Sequence, residues 1–182
     1  DINNADTSIL SNITTVRMYK YFTPTLNSGI KYTLNYNNAL YNPHSGHNSS
    51  GGGVISSSGF KVNNDSSLNE HFLDDDGAGN LRLYYLSGTT RVYTDTTYGT
   101  VDYATGEVVL TSAHITSISN VDGATSTQVR VFATPSSNDV VPVRNQVLSI
   151  DTSNSTITGE VDGIESGSSQ AGTTYTTTSS YS

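Results

Sequence analysis

The chain contains no cysteine and no tryptophan, and only 8 of its 182 residues are lysine or arginine. The absence of cysteine excludes disulfides, thiolate metal sites and a cysteine nucleophile. The basic residues are scattered, and the formal net charge is −8. No basic stripe therefore exists that could follow a phosphate backbone, and we expect no nucleic-acid partner.

Long apolar runs and helical periodicity are also missing. A membrane-spanning helix needs about 20 consecutive apolar residues, and no run approaches that length, so we expect no membrane partner. No secretory signal is visible. The chain starts at Asp1 without an initiator Met, and we expect it to be a piece of a longer polypeptide.

The chain is instead rich in Ser, Thr, Asn and Gly. Short runs of Val, Ile, Tyr and Thr alternate with turn-forming clusters, which predicts an all-β fold. We expect an antiparallel β-sandwich or barrel-like module with long loops and a polar C-terminal tail. The predicted strands are Ser8–Tyr21, Ile30–Tyr36, Gly59–Val62, Leu81–Leu86, Arg91–Thr94, Gly99–Tyr103, Glu107–Thr111, Gln128–Ala133 and Gln146–Asp151.

The clearest hairpin spans Gly99–Thr111. Val101 and Tyr103 alternate with polar neighbours, and Ala104-Thr105-Gly106 predicts a short turn in which Gly106 takes a positive φ. We expect Arg91–Asp95 to pair with the outgoing arm and so extend a β-meander.

Two long loops and a tail complete the predicted organisation. Leu40–Ser58 and Asn63–Asn80 are interpreted as loops, and loops of this length are usually functional or disordered. We place one β-rich module at residues 1–151 and an extended Thr/Ser/Gly-rich tail at 152–182. The tail has too few apolar residues to order alone, so we expect it to dock on its own domain or on a neighbouring subunit.

Candidate metal sites are weak. His44 and His47 lie in one predicted loop and Asp74, Asp75 and Asp76 in another, so a zinc site would require two loops to converge. A turn whose imidazoles bond to backbone groups is the favoured interpretation. The Asp-rich segment lacks the ligand spacing of a calcium loop, and we read it as a charged turn before a strand.

No catalytic constellation is apparent. Gly51-Gly52-Gly53 is not followed by the Lys-Ser/Thr of a phosphate-binding loop, no serine sits in Gly-x-Ser-x-Gly, and the acids are dispersed. We predict no enzyme activity, no catalytic or metal-binding residues and no cofactor. The many tyrosines are interpreted mainly as core residues, and a minority as contact residues.

Three blocks resemble a known family. They read Leu-Asp-Asp-Asp-Gly-Ala-Gly-Asn-Leu-Arg-Leu-Tyr-Tyr at 73–85, Tyr-Gly-Thr-Val-Asp-Tyr-Ala-Thr-Gly-Glu at 98–107, and Ser-Asn-Asp-Val-Val-Pro-Val-Arg-Asn-Gln-Val-Leu-Ser-Ile at 137–150. Asn-Ala-Leu-Tyr-Asn-Pro-His at 38–44 and Asp-Thr-Ser-Ile at 6–9 look similar. Together they resemble the C-terminal part of the baseplate wedge subunit, the gene six product, of contractile-tailed bacteriophages of the T-even type.

This resemblance implies a structural virion protein, located in the tail baseplate and assembled in the host cytoplasm. It implies self-association as a dimer within a ring, contacts with other wedge proteins, and a role in linking neighbouring wedges. Two alternatives stay open: a carbohydrate- or receptor-binding β-module of a tail fibre, and a cell-wall hydrolase. The candidate interface residues are Pro142, Arg144, Asn145, Tyr41, His44 and Tyr98.

Overall fold

The computed structural model describes residues 16–47, 53–121, 123–137, 155, 156 and 158. Within these ranges the chain forms strands and no helix, which confirms the all-β prediction. Consequently, the described part of the chain contains no helix long and apolar enough to cross a membrane. The strands are β1 (Met18–Phe22), β2 (Gly29–Asn35), β3 (Ile55–Ser57), β4 (Phe60–Val62), β5 (His71–Asp75), β6 (Asn80–Ser87), β7 (Thr90–Asp102), β8 (Glu107–Ile118) and β9 (Val129–Ala133).

Five strands close into an antiparallel barrel. Neighbouring strands pair in the order β8-β4-β5-β6-β7, and β7 pairs again with β8 to complete the ring. The closure depends on the length of β8, because its Glu107–Leu110 part pairs with β7 and its Ile115–Ile118 part pairs with β4. The strand β2 also pairs with β8 and extends the sheet.

A second sheet of three strands has the order β1-β9-β3. Its inner face presents Val129, Val131 and Ala133 of β9, all essentially inaccessible to solvent. These side chains belong to the same apolar cluster as the barrel residues. The Tyr36 hydroxyl donates a 2.6 Å hydrogen bond to the Val131 carbonyl, which connects the end of β2 to this sheet.

The barrel interior is filled by large apolar side chains that alternate along the strands with residues of the other face. Phe60, Leu73, Leu81, Leu110 and Ile115 are fully buried and come from four different strands. Each fully buried side chain of this size stabilises the fold by roughly 2 kcal/mol. The packing therefore explains why a chain with few apolar residues still forms a defined barrel.

Several predicted strand boundaries were wrong. The predicted loop Leu40–Ser58 contains β3, and the predicted loop Asn63–Asn80 contains β5. Polar residues in β3 and β5 make these strands look like loops in the sequence. Asp74 and Asp75 belong to the buried strand β5, and only Asp76 lies in the turn that follows it. Arg91–Asp95 does not pair with the outgoing arm that begins at Gly99, because both lie along the single long strand β7; Arg91–Asp95 pairs with β6 instead.

The hairpin between β7 and β8 is confirmed. Gly99 pairs with Leu110 and Asp102 with Glu107. Gly106 has the predicted positive φ, at 73°. The connection is one residue longer than predicted, since Tyr103 joins the turn and the Gly106 N–H donates to the Asp102 carbonyl at 2.8 Å.

Other expectations fall outside the described residues. These are the first part of the predicted strand Ser8–Tyr21, the strand Gln146–Asp151, the boundary at 151/152, and the docking of the tail.

Candidate functional site

The wall of the barrel opens beside β8, between its two paired segments. The Thr111–His114 segment of β8 lies between the part that pairs with β7, which ends at Leu110, and the part that pairs with β4, which begins at Ile115. Opposite β2, Thr111 and Ser112 together face Lys31, which makes a β-bulge. Bulges of this kind redirect strands and often occur beside binding sites. β4 and β7 therefore diverge here.

A second irregularity widens the same opening. Leu81 pairs with Gly99 but Leu83 pairs with Asp95, so three residues of β7, Thr96–Tyr98, face the single residue Arg82 of β6. The result is a cavity of about 500 Å³, which we call the wall cavity. All five barrel strands line it, with Val62 of β4, His71 of β5, Leu83 of β6, Tyr98 of β7 and His114 of β8 among the lining residues.

His71 is the most buried polar residue of the wall cavity. Its side chain is fully inaccessible to solvent, and its ring packs edge-on against Tyr85 at a centroid distance of 5.7 Å. Nδ1 lies 3.1 Å from the Asn69 carbonyl oxygen. A carbonyl oxygen can only accept a hydrogen bond, so this contact requires the proton to be on Nδ1. Nε2 of this tautomer is then an acceptor, and it has no hydrogen-bond partner among the described residues.

Tyr98 provides a second buried polar atom. Its hydroxyl is shielded from solvent and makes no well-formed hydrogen bond within the described part of the chain; the backbone N–H of His114 gives it only a weak contact. Burial, followed by the nearby Asp95 carboxylate, raises the pKa of Tyr98 to about 12, and the backbone N–H of His114 partly opposes this rise. The hydroxyl therefore stays protonated at neutral pH and can donate a hydrogen bond.

Two carboxylates lie at the rim, and both serve local turns. Asp65 accepts hydrogen bonds from the backbone N–H groups of Ser67 and Asn69, at 2.9 and 2.7 Å. Slight desolvation raises the pKa of Asp65, but these hydrogen bonds outweigh it and leave the pKa below its ordinary value. Asp95 accepts from the backbone N–H of Thr97 at 2.8 Å.

The lining of the wall cavity contains no lysine or arginine among the described residues. Its polar groups are carboxylates, imidazoles, hydroxyls and carboxamides. Such a set can accept and donate hydrogen bonds but offers no positive partner for an anion.

A buried ion cluster covers the other face of β5 and β6. Asp74 accepts from Arg82 Nε at 2.9 Å, from Arg91 Nη1 at 2.6 Å and from the Tyr93 hydroxyl at 2.8 Å. Arg82 also stacks over the Tyr93 ring, and Arg91 over that of Tyr84. With both carboxylate oxygens engaged, Asp74 is a structural residue rather than a base.

The predicted site residues are spread over different places. Tyr41 and His44 are exposed on the loop after β2, where the His47 ring packs edge-on to both. His44 Nδ1 lies 3.2 Å from the Ser45 carbonyl, in agreement with imidazole-to-backbone bonding. Tyr98 lies in the wall cavity instead of on an exposed face. Pro142, Arg144 and Asn145 lie outside the described residues.

The loop that carries His44 packs against the turn after Asp76. Asn42 Nδ2 donates to the Gly77 carbonyl at 3.1 Å, and the Gly46 N–H donates to the same carbonyl at 3.0 Å. The described residues contain no group of three or more His, Asp or Glu side chains placed to hold a metal ion.

The sequence did not identify His71 as a site residue. It stands at the start of β5, in a segment that the sequence predicts to be a loop. The alternation of His71, Leu73 and Asp75 on one face was the available signal, because residues two apart share a face of a strand. Comparison with protein-family models, curated proteins and solved structures found no match for this chain.

Proposed function

We propose that this chain is a structural subunit of a phage tail baseplate wedge, and that it links neighbouring wedges by subunit association. The proposal rests first on the three sequence blocks that resemble that family. Two of them correspond to described structure. Residues 73–85 span the last three residues of β5, its turn and most of β6, and residues 98–107 span the end of β7 and its hairpin turn.

The observation that carries the proposal is an exposed aromatic face on the three-stranded sheet. Tyr19 and Tyr21 of β1 are 40% and 57% exposed, and they lie on the face opposite the buried Val129 and Val131. Tyr19 contacts the Phe132 ring at a centroid distance of 5.8 Å. We call Tyr19, Tyr21, Arg130 and Phe132 the aromatic face.

The composition of this face fits protein–protein contact. Tyr, Phe and Arg are enriched at the centres of interfaces, whereas Lys, Glu and Asp are depleted there. Arg130 lies over the Tyr19 ring at 5.8 Å, so its guanidinium has an aromatic neighbour in the uncomplexed chain. A partner covering these rings would remove apolar area from water while the tyrosine hydroxyls stayed at the rim.

The test is the concentration dependence of the molar mass, measured by size-exclusion chromatography with light scattering. We expect a dimer or larger species that dissociates when Tyr19→Ser and Tyr21→Ser are combined. Leu86→Ser is the matched control, because Leu86 is 48% exposed at the far end of β6. This control should leave the molar mass unchanged.

Two outcomes would contradict the proposal as stated. A chain that stays strictly monomeric at the highest attainable concentration would argue against self-association. An oligomer that the paired tyrosine substitutions leave intact would remove the aromatic face as its contact surface. Electron microscopy of the chain with purified neighbouring wedge proteins should show added density against this face.

A further inference from the structure

We propose that the wall cavity binds a neutral, hydroxyl-rich ligand of the size of one or two sugar residues. This activity goes beyond subunit association, and it involves the barrel rather than the aromatic face. Two buried polar atoms share this cavity. His71 Nε2 has no hydrogen-bond partner among the described residues, and the Tyr98 hydroxyl, which has only a weak contact from the His114 backbone N–H, finds no acceptor there for its own proton.

These two atoms offer complementary chemistry. In the neutral ring His71 Nε2 accepts a hydrogen bond, because Nδ1 then carries the proton that is directed at the Asn69 carbonyl. The Tyr98 hydroxyl is protonated at neutral pH and donates or accepts. Buried groups of this kind are nearly always hydrogen-bonded in folded proteins, and an unsatisfied one is costly. A vicinal pair of ligand hydroxyls would supply one donor and one acceptor.

The charge of the lining selects against anions. Asp65 and Asp95 stand at the rim, no Lys or Arg lines the described cavity, and the chain as a whole has a formal net charge of −8. A phosphorylated or sulfated ligand would meet this negative field without a cationic partner. A neutral ligand does not incur that repulsion.

The size and walls also suit a sugar. A volume of about 500 Å³ is within the range of small-molecule sites, and barrel openings are a common place for them. The rings of Tyr85 and Tyr98 line the cavity and provide apolar surface for the C–H face of a pyranose. The strands that hold these side chains are paired, so the site is largely pre-formed.

The experiment is a titration of the isotope-labelled chain followed by amide chemical shifts. The probes are glucose, galactose and N-acetylglucosamine, with glucose 6-phosphate as the anionic counterpart of glucose. We expect at least one neutral sugar to shift amides of Thr94–Tyr98 and Thr111–His114, with millimolar affinity, and glucose 6-phosphate to bind more weakly than glucose.

Variants test whether the shifts arise in the wall cavity. Tyr98→Phe keeps the ring and removes the hydroxyl, and we expect it to weaken binding by about three- to tenfold. Asp95→Asn removes one rim charge with little change of shape, and we expect it to reduce the difference in affinity between glucose and glucose 6-phosphate. Tyr21→Phe is the matched control, since it removes a hydroxyl from the aromatic face, and it should bind as the parent chain does.

The proposal is overturned if no neutral probe shifts these amides at high millimolar concentration. It is also overturned if Tyr98→Phe, folded by its spectrum, binds the neutral sugar as tightly as the parent chain. Tighter binding of glucose 6-phosphate than of glucose would disprove the assigned ligand class. None of these results bears on self-association, which is measured separately by molar mass.

Discussion

The backbone N–H of Ile55 donates a 2.8 Å hydrogen bond to the carboxylate of Asp75. Ile55 begins β3, at the edge of the three-stranded sheet, and Asp75 ends β5 in the barrel wall. Both residues are fully buried. The other carboxylate oxygen of Asp75 accepts from the Tyr103 hydroxyl at 2.7 Å. One acidic side chain thus joins both sheets and the β7–β8 turn.

Replacing Asp75 should destabilise the chain strongly. Asp75→Ala leaves the buried Ile55 N–H without its partner and removes the acceptor of the half-buried Tyr103 hydroxyl, and we expect the free energy of unfolding to fall by about 3 kcal/mol. Tyr103→Phe removes only one of the two bonds and should cost about 1–2 kcal/mol. Urea unfolding followed by circular dichroism measures both. Glu107→Ala, at an exposed position, is the control, and an equal loss there would contradict this role of Asp75.

The two arginines that contact Asp74 should differ in their effects. The Arg82 side chain is 6% exposed and that of Arg91 is 33% exposed. We expect Arg82→Met to lower the free energy of unfolding by about 3 kcal/mol, because a buried carboxylate loses its most buried partner. Arg91→Met should cost about 1 kcal/mol, since its pair is partly solvated. The order of the two denaturation midpoints is the measurement, and a reversed order would contradict this assignment.

Glycines in contact with backbone should tolerate a methyl group less well than those in contact with a side chain. A Cβ at Gly99 would collide with the Val109 carbonyl, which is fixed by the β7–β8 pairing. A Cβ at Gly59 would meet the end of the exposed Glu70 side chain, which can rotate away. We expect Gly99→Ala to lower the melting temperature much more than Gly59→Ala. Similar shifts for the two variants would show that the pairing at Gly99 is looser than described.

Tyr98 should make stability sensitive to alkaline pH. Its pKa is raised by burial to about 12 in the folded state, from an ordinary value of 10.0. A raised folded-state pKa contributes stability that is complete below pH 10 and is lost as the pH rises towards 12. Urea midpoints measured across this window should therefore fall less steeply in Tyr98→Phe than in the parent chain. Parallel curves would show that Tyr98 titrates normally.

Asp76 should contribute to stability in the acidic range. Partial burial raises its pKa, but hydrogen bonds from the Asn80 side chain, the Asn80 N–H and the Ala78 N–H outweigh that effect and lower it. A lowered folded-state pKa contributes stability that is present above the unfolded-state value and is lost as pH falls through the folded-state value. Asp76→Asn should accordingly flatten the loss of stability on acidification, measured by thermal unfolding. An unchanged slope would contradict the prediction.

Local sequence patterns identified much of the fold. The Gly99–Thr111 hairpin was predictable because alternation and a positive-φ glycine act over a few residues. The strands β2, β4, β6 and β9 were also found within one or two residues at most ends. By contrast, His71–Asp75 carries too many polar side chains to be recognised as a buried strand, because the partners that satisfy them are distant in sequence.

The wall cavity likewise could not be predicted from local sequence patterns. The sequence predicts Tyr98 as an interface residue, and nothing near it in sequence indicates that His71 and His114 line the same cavity. The divergence of β4 and β7 depends on two register irregularities, at Lys31 and at Arg82. Register is fixed by pairing between strands and cannot be read from one strand alone.

By itself, the sequence determined the all-β class, the turn chemistry and the absence of any cysteine-based chemistry. These follow from residue types and from periodicities that operate within about ten residues. Only the tertiary structure decided that Asp74 and Asp75 are buried, that β8 closes a barrel, and that five strands enclose a polar cavity. The physical reason is that a buried charge needs partners, and a gap in the barrel wall depends on strand pairing. Both involve residues that are far apart in sequence.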